Sequence, residues 1–167
     1  TAVVAVACWS GAALTELLLS ELLGKHGYRT AITGKWHLGF GEGLRPDERG
    51  FDHQYGFYDA FSLYGDPDDP DMVGVRDDYF ADRYQWWRGR SGGSAIRRNG
   101  TVIDEDGYLT DKIGREAAAW IIAHKDEPFF AYVPFSAPHA PIQAPRAYVE
   151  RFAHVESPDR RVYFAMI

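Results

Sequence analysis

The chain is poor in cysteine, since Cys8 is the only one among its 167 residues. A single thiol excludes an intrachain disulfide framework and a zinc site built from cysteines. Basic residues are also in the minority, with 18 Lys and Arg against 24 Asp and Glu and a formal net charge of −6. Nucleic-acid binding generally needs a basic face, so we expect no nucleic-acid partner.

Long apolar runs are missing as well. No stretch reaches the roughly 18 consecutive apolar residues of a membrane-spanning helix, so we expect no membrane span. The run Thr1–Cys8 resembles the apolar part of a signal peptide but has no basic segment before it, and we interpret it as a buried first strand. Neither the cellular compartment nor the oligomeric state can be deduced from these features.

The chain is rich in hydrophobic residues (46%) and aromatic residues (15%), which is enough for a sizeable core. Leucines at helical spacing predict a helix over residues 14–23, with Thr15 as its N-cap. A strand is predicted next, over residues 28–33, and Gly34 should end it. The same order then recurs: a helix capped by Thr110 or Asp111, followed by an apolar strand over residues 128–133 that we expect to be covered on both faces.

This repeated order of helix, strand and loop predicts an α/β fold with a largely parallel sheet and helices on both faces. We treat residues 1–167 as one partial domain, with residues 58–108 as a long loop or insertion. Ligands of such sheets bind beyond the carboxyl ends of the strands. The loops 34–39 and 134–141 should therefore open at the same edge.

Two residues of the first loop could bind an anion. In Gly34-Lys-Trp-His-Leu-Gly39, Lys35 and His37 would point the same way if the backbone were extended. A lysine charge and an imidazole proton could then meet on one ligand. The spacing alone also fits a solvated lysine and an ordinary loop histidine.

The second loop contributes His139, which lies between two prolines in Ala137-Pro-His-Ala-Pro141. Prolines restrict the backbone and would hold an imidazole in place, although a rigid turn with an incidental histidine also fits. If both loops open at one edge, Lys35, His37 and His139 form a local anion site in an acidic protein. Sulfate or phosphate ester chemistry suits such a site.

Longer stretches of sequence point to a family. The segment 27–39, GYRTAITGKWHLG, resembles the second sequence signature of the sulfatase family. Further segments agree in the same order along the chain, at residues 49–57, 108–111, 127–141 and 161–166. The chain from about Leu14 onward therefore resembles an internal part of the catalytic domain of an arylsulfatase-like enzyme of the alkaline phosphatase superfamily.

The resemblance implies a sulfuric ester hydrolase that acts on a sulfated small molecule or glycan. Such enzymes use calcium and a formylglycine nucleophile made from cysteine or serine. The resemblance places Lys35 on the sulfate, His37 beside the nucleophile and His139 at the leaving oxygen as a general acid. It also implies a periplasmic, secreted or lysosomal location.

The sequence departs from the family at the nucleophile and the metal. Cys8-Trp-Ser-Gly-Ala12 lacks the proline or alanine and the arginine of the nucleophile motif, so we interpret Cys8 as a small buried hydrophobe and leave the nucleophile unassigned. No calcium ligand of the family can be carried over to this chain. The acidic run 66–71 is interrupted by prolines and is interpreted as a solvated loop.

Three functions remain open at this point. The first is a sulfatase of which this chain carries only the sulfate-binding part of the site. The second is a catalytically inactive sulfatase-like remnant or binding module, and the third is a phosphoesterase relative in the same superfamily. The intact Lys35, His37 and His139 favour the first of these.

Overall fold

A computed structural model describes residues 15–75 and 89–167. The helices are α1 (Leu19–Lys25), α2 (Leu109–Ala123), α3 (Arg146–Val149) and α4 (Pro158–Ala165). The strands are β1 (Arg29–Lys35), β2 (His53–Phe57), β3 (Met72–Gly74), β4 (Arg97–Arg98), β5 (Thr101–Val102), β6 (Phe129–Tyr132) and β7 (Gln143–Pro145). Single turns of 3-10 helix lie at residues 46–48, 92–94 and 150–152. The predicted first strand, residues 2–8, lies outside the described residues.

The main sheet has the strand order β5-β4-β2-β1-β6. Its centre is parallel, because β1 pairs in parallel with both β2 and β6. At one side β4 pairs antiparallel with β2 and, through a two-residue turn at Asn99-Gly100, with β5. Both turn residues have positive φ, as this two-residue hairpin requires.

Helices cover both faces of this sheet, as predicted. On one face, Tyr55 and Phe57 of β2 pack with Leu109 and Ile113 of α2 in one buried cluster. On the other face, a second cluster joins Ile32 of β1 to residues that surround the start of α1 and the loop after β1, namely Leu18, Trp36, Leu38, Phe51, Tyr58 and Phe130. The two clusters follow the alternation of side chains along the strands.

A third cluster lies beside the sheet. The two-stranded sheet of β3 and β7 packs with α4, and Tyr64, Ala144 and Val162 are buried at its centre. The Gln143 side chain is fully buried, accepting a hydrogen bond from the Tyr64 N–H at 2.9 Å. This bond ties the end of the proline-rich loop to the segment that follows β2.

Both predicted helix starts are wrong. α1 begins at Leu19 rather than near Thr15, and the Glu21 carboxylate accepts a hydrogen bond from the Leu18 N–H at 2.7 Å. α2 begins at Leu109, one residue before the predicted caps, without a side-chain cap. Asp111 instead accepts a hydrogen bond from the Tyr148 hydroxyl at 2.8 Å, so this carboxylate joins α2 to α3 rather than capping its own helix.

The strand predictions are right in place and wrong in detail. β1 continues through Gly34 to Lys35 instead of ending at Gly34. β6 is the last strand on its side of the main sheet among the described residues, and it is only half-buried, with Tyr132 exposed. The expected cover on both faces of this strand is therefore not found in this part of the chain. β2, the strand between β1 and the hairpin, was not predicted.

Candidate anion-binding site

Three strand ends meet at the carboxyl edge of the sheet. Lys35, the last residue of β1, lies opposite Phe57, the last residue of β2. The Lys35 N–H also donates a hydrogen bond of 2.9 Å to the carbonyl oxygen of Pro134, just past β6. The loops 34–39 and 134–141 therefore open at the same edge, as the sequence predicts.

Two glycines allow this close approach. Gly34 has φ +135° and Gly56 has φ +129°, backbone angles that residues other than glycine rarely adopt. A Cβ on Gly34 would lie 2.1 Å from the Pro134 oxygen, and one on Gly56 would lie 2.0 Å from the Gly34 oxygen. Each distance is far inside van der Waals contact, so the three strands can lie this close only without these side chains.

The backbone after β1 keeps its pairing with the β2 segment. Trp36 and His37 donate N–H bonds of 3.0 Å to the carbonyl oxygens of Phe57 and Tyr58. His37 has φ +56°, in the left-handed region that non-glycine residues adopt rarely and at an energetic cost. The segment is therefore not extended at His37, and the expectation that Lys35 and His37 point the same way because of strand alternation is wrong.

The two side chains nevertheless belong to one electrostatic cluster. Burial lowers the pKa of Lys35, and the Asp59 carboxylate partly opposes this by raising it. Burial also lowers the pKa of His37, followed by repulsion from Lys35; Asp59 raises this pKa, and His139 lowers it further. The charges of Lys35, Asp59 and His139 thus all act on His37, and that of Asp59 also acts on Lys35.

His139 is held by its loop in a defined tautomer. Its Nδ1 lies 2.6 Å from the Ala140 carbonyl oxygen, which can only accept a hydrogen bond. Nδ1 therefore carries the proton in the neutral ring, and Nε2 has a free lone pair. The backbone is fixed as well, because the His139 N–H bonds to the Ser136 oxygen and the Tyr64 hydroxyl donates to the His139 oxygen, each at 2.9 Å. The imidazole itself is exposed.

Asp59 is the residue that sequence reasoning missed. It follows β2, and its N–H and that of Tyr58 both donate to the Gly93 oxygen, at 3.0 and 2.9 Å. A strand prediction at residues 53–57 would have placed Asp59 at the carboxyl edge beside the two predicted loops. The segment contains glycine, histidine and glutamine rather than a run of apolar residues, so the pattern gave no such signal.

Of the other features considered from the sequence, the acidic loop 66–71 does not join this cluster. Cys8 lies outside the described residues. The acidic loop 66–71 is largely exposed and folds on itself, since Asp66 accepts a bond from the Asp68 N–H and Asp69 accepts one from the Asp71 N–H.

A metal site is not found in residues 15–75 and 89–167, where no three His, Cys, Asp or Glu side chains are grouped to hold an ion. The described residues therefore do not fit the calcium that the resemblance implies. Within the same residues, no helix is both long and apolar enough to cross a membrane.

Comparisons with known proteins agree with the sequence signature. An arylsulfatase of Klebsiella aerogenes is 31% identical over 137 residues, which make up 80% of this chain and 26% of the relative. The N-acetylgalactosamine-6-sulfatase of Homo sapiens is 34% identical over 138 residues, 81% of this chain and 24% of that enzyme. The chain thus spans about a quarter of the length of these relatives.

Solved structures show the same similarity in three dimensions. The crystal structure of Ps i-CgsB in complex with k-i-k-neocarrahexaose matches with a TM-score of 0.74 and 29% identity, covering 93% of this chain and 34% of that one. The Sulfatase family itself matches residues 2–167, nearly the whole sequence. The chain therefore belongs to the sulfatase family and has its alkaline phosphatase-like α/β fold.

Proposed function

We propose that this chain carries the sulfate-binding part of a sulfatase active site, in a protein that hydrolyses sulfate esters of an aryl or sugar alcohol. The observation that carries the proposal is the meeting of Lys35, His37 and His139 at one sheet edge, where Lys35 binds the Pro134 backbone. One lysine and two imidazoles suit a dianion or its ester. The sulfatase relatives support this choice of anion.

Lys35 binds the sulfate oxygens as a fixed charge. Its backbone at the end of β1 is held by hydrogen bonds on both sides, so only its side chain has to become ordered when an anion binds. His37 gives the same anion a second donor. A bound anion favours the protonated imidazole, because it offsets the repulsion from Lys35 that lowers the His37 pKa.

His139 is the proposed general acid at the leaving oxygen. Its Nδ1 proton is engaged by the Ala140 oxygen, so Nε2 is the atom that exchanges a proton with a ligand. In the neutral ring Nε2 accepts, and it can donate only after the ring takes up a second proton. The negative charge of a bound sulfate ester favours that uptake, which prepares the ring to protonate a departing alkoxide.

The family's calcium and formylglycine are also proposals for this protein. The segment around Cys8, which would supply a formylglycine, lies outside the described residues and lacks the family motif. The described residues also contain no group of side chains that could bind calcium. The roles of Lys35, His37 and His139 are therefore limited to binding the ester and moving a proton.

Binding of inorganic sulfate to the chain tests this proposal, measured by isothermal titration calorimetry. Lys35→Ala should weaken sulfate binding by about tenfold or more, the cost of one charge-assisted contact. Lys125→Ala removes an exposed lysine after α2 and should change nothing. His37→Ala and the exposed His154→Ala form a second matched pair. Equal dissociation constants in all five proteins would contradict the proposed site.

Hydrolysis separates an enzyme from a binding module. The chain is incubated with 4-nitrophenyl sulfate or 4-nitrophenyl phosphate, with and without calcium. Sulfate ester turnover that disappears in His37→Ala supports a working sulfatase site. Preferred turnover of the phosphate ester supports the phosphoesterase relative, and sulfate binding without any turnover supports the inactive remnant.

A further inference from the structure

Phe40 is an exposed aromatic side chain close to the proposed anion site. It follows the loop 34–39 directly, and 51% of its surface is exposed. A single exposed phenylalanine is common on protein surfaces and indicates nothing by itself. The neighbours of this ring distinguish it from the other exposed aromatic residues.

The side chains of Phe40 and Asp59 both lie close to Gly93. A Cβ on Gly93 would lie 2.9 Å from Cε1 of Phe40 and 3.1 Å from both Cβ and Oδ2 of Asp59. The ring edge and the carboxylate therefore pack over the same buried glycine. The Gly93 oxygen also accepts the Asp59 N–H, so the backbone under the carboxylate is fixed. A half-exposed aromatic ring and a carboxylate, whose Oδ1 already accepts the Ala60 N–H at 2.7 Å, thus lie next to each other on a fixed backbone.

This pair adjoins the residues proposed to bind sulfate. The His37 N–H is bonded to the Tyr58 oxygen, one residue before Asp59. The Asp59 carboxylate also raises the pKa values of both Lys35 and His37. A carboxylate repels free anions, so an acid at this position does not improve the binding of sulfate alone. Its chemistry suits a hydroxyl donor instead.

From this geometry we infer that Phe40 and Asp59 form the subsite for the alcohol portion of the ester and that this portion is a pyranose with free hydroxyls. The inference rests on the proposed sulfate site. Phe40 offers an electron-rich face to the C–H groups of a sugar ring, and Asp59 accepts hydrogen bonds from its hydroxyls. The same carboxylate disfavours a second anionic group on the sugar at this position.

The test compares two esters that differ only in their alcohol, methyl sulfate and D-galactose 6-sulfate, by calorimetry at pH 7.5. The sugar ester should bind about tenfold more tightly. Phe40→Ala should reduce this ratio to about twofold or less without changing the dissociation constant of methyl sulfate. Tyr163→Ala, which removes an exposed aromatic ring on α4, should leave the ratio as it is.

Asp59→Asn gives a sharper test because the two ligands should respond in opposite directions. Methyl sulfate should bind more tightly, since a nearby negative charge is gone. The sugar ester should lose its advantage, since an ionised acceptor for hydroxyls is replaced by a weaker one. Thermal unfolding of each variant shows whether the fold is retained, and Phe40→Leu provides a less disruptive change at the ring.

The outcomes separate this subsite from the sulfate site. Methyl sulfate binding that depends on Lys35, with no preference for the sugar ester, overturns the subsite and leaves the sulfate site standing. A preference that survives in Phe40→Ala, Phe40→Leu and Asp59→Asn also overturns it. Sugar ester binding that depends on Phe40 but not on Lys35 supports the subsite and contradicts the sulfate site. Binding of neither ester contradicts both.

Discussion

The backbone N–H of Lys35 donates a 2.9 Å hydrogen bond to the carbonyl oxygen of Pro134, across 99 positions of the sequence. This bond extends the pairing of β1 and β6 past the end of β6. It brings the loop that contains His37 against the loop that contains His139. The proposed site therefore depends on a backbone contact as well as on its side chains.

Replacing Gly34 should break this contact. In Gly34→Ala the new Cβ would lie 2.1 Å from the Pro134 oxygen at a backbone angle that alanine rarely adopts. We expect a loss of more than about 2 kcal/mol in the free energy of unfolding, together with weaker sulfate binding. Denaturant unfolding and calorimetry measure the two effects.

Gly24→Ala is the matched control for this change. Gly24 lies within α1, and an added Cβ would meet nothing within 4 Å. Alanine should stabilise the helix here by about 0.5–1 kcal/mol. Similar unfolding curves for Gly34→Ala and Gly24→Ala would show that the strand ends do not need the close approach described above.

The tautomer of His139 can be observed directly. Nδ1 of His139 donates to the Ala140 oxygen. Long-range ¹H–¹⁵N spectra, recorded where the imidazole is neutral, should therefore show His139 in the Nδ1-protonated form. His139→Gln places an amide near the Nε2 position, and His139→Asn places one near Nδ1. Sulfate ester affinity should therefore be retained better in His139→Gln. A spectrum of the Nε2-protonated form would refute the assignment.

Sulfate affinity should depend on pH through His37. Burial and Lys35 hold the pKa of His37 below its usual 6.5, so the imidazole is neutral at pH 7.5. Protonation adds a positive charge to the site, and sulfate should bind more tightly as the pH falls below 6.5. In His37→Gln this increase should shrink.

Asp59→Asn offers an independent check on the pH dependence of sulfate affinity. The Asp59 carboxylate raises the His37 pKa, so its removal should move the rise in sulfate affinity to lower pH. Titrations from pH 8 to pH 5 measure both variants. A wild-type affinity that falls as the pH falls would have the wrong sign for this arrangement.

The outer edge of β6 should cause the chain to self-associate. Within the described residues β6 is paired only with β1, and Tyr132 is 45% exposed on it. Unpaired strand edges with apolar side chains template further pairing. Light scattering should show an increase in mass with concentration, and Tyr132→Lys should reduce it. Tyr163 lies on α4 and is 41% exposed, and Tyr163→Lys should not reduce the association. A chain that stays monomeric at all concentrations would contradict this prediction.

The sequence was informative wherever a local pattern was strong. The spacing predicts one helical face for α2, which consists of Ile113, Ala117, Trp120, Ile121 and His124. The first three of these are buried and the last two are half-buried. The apolar runs of β1 and β6 predict strands that are present, and their loops meet as parallel strands require. The hairpin at Asn99-Gly100 follows from residues that tolerate positive φ.

Local patterns could not predict β2 or Asp59. Gln54 is buried in β2, where its side-chain amide donates a hydrogen bond to the backbone oxygen of Arg97, 43 residues later. Such a bond compensates for burying a polar group but leaves no periodic signal around Gln54. Without β2, nothing indicated that Asp59 lies beside Lys35.

The sequence by itself determined the family and the α/β class, and it pointed to the three side chains that we propose to bind an anion, because these depend on residue types and short spacings. The tertiary structure decided the left-handed backbone at His37, the tautomer of His139, and the position of Asp59 and Phe40 over Gly93. Each of these depends on steric contacts or hydrogen bonds formed when the strand ends and loops of the fold are packed together.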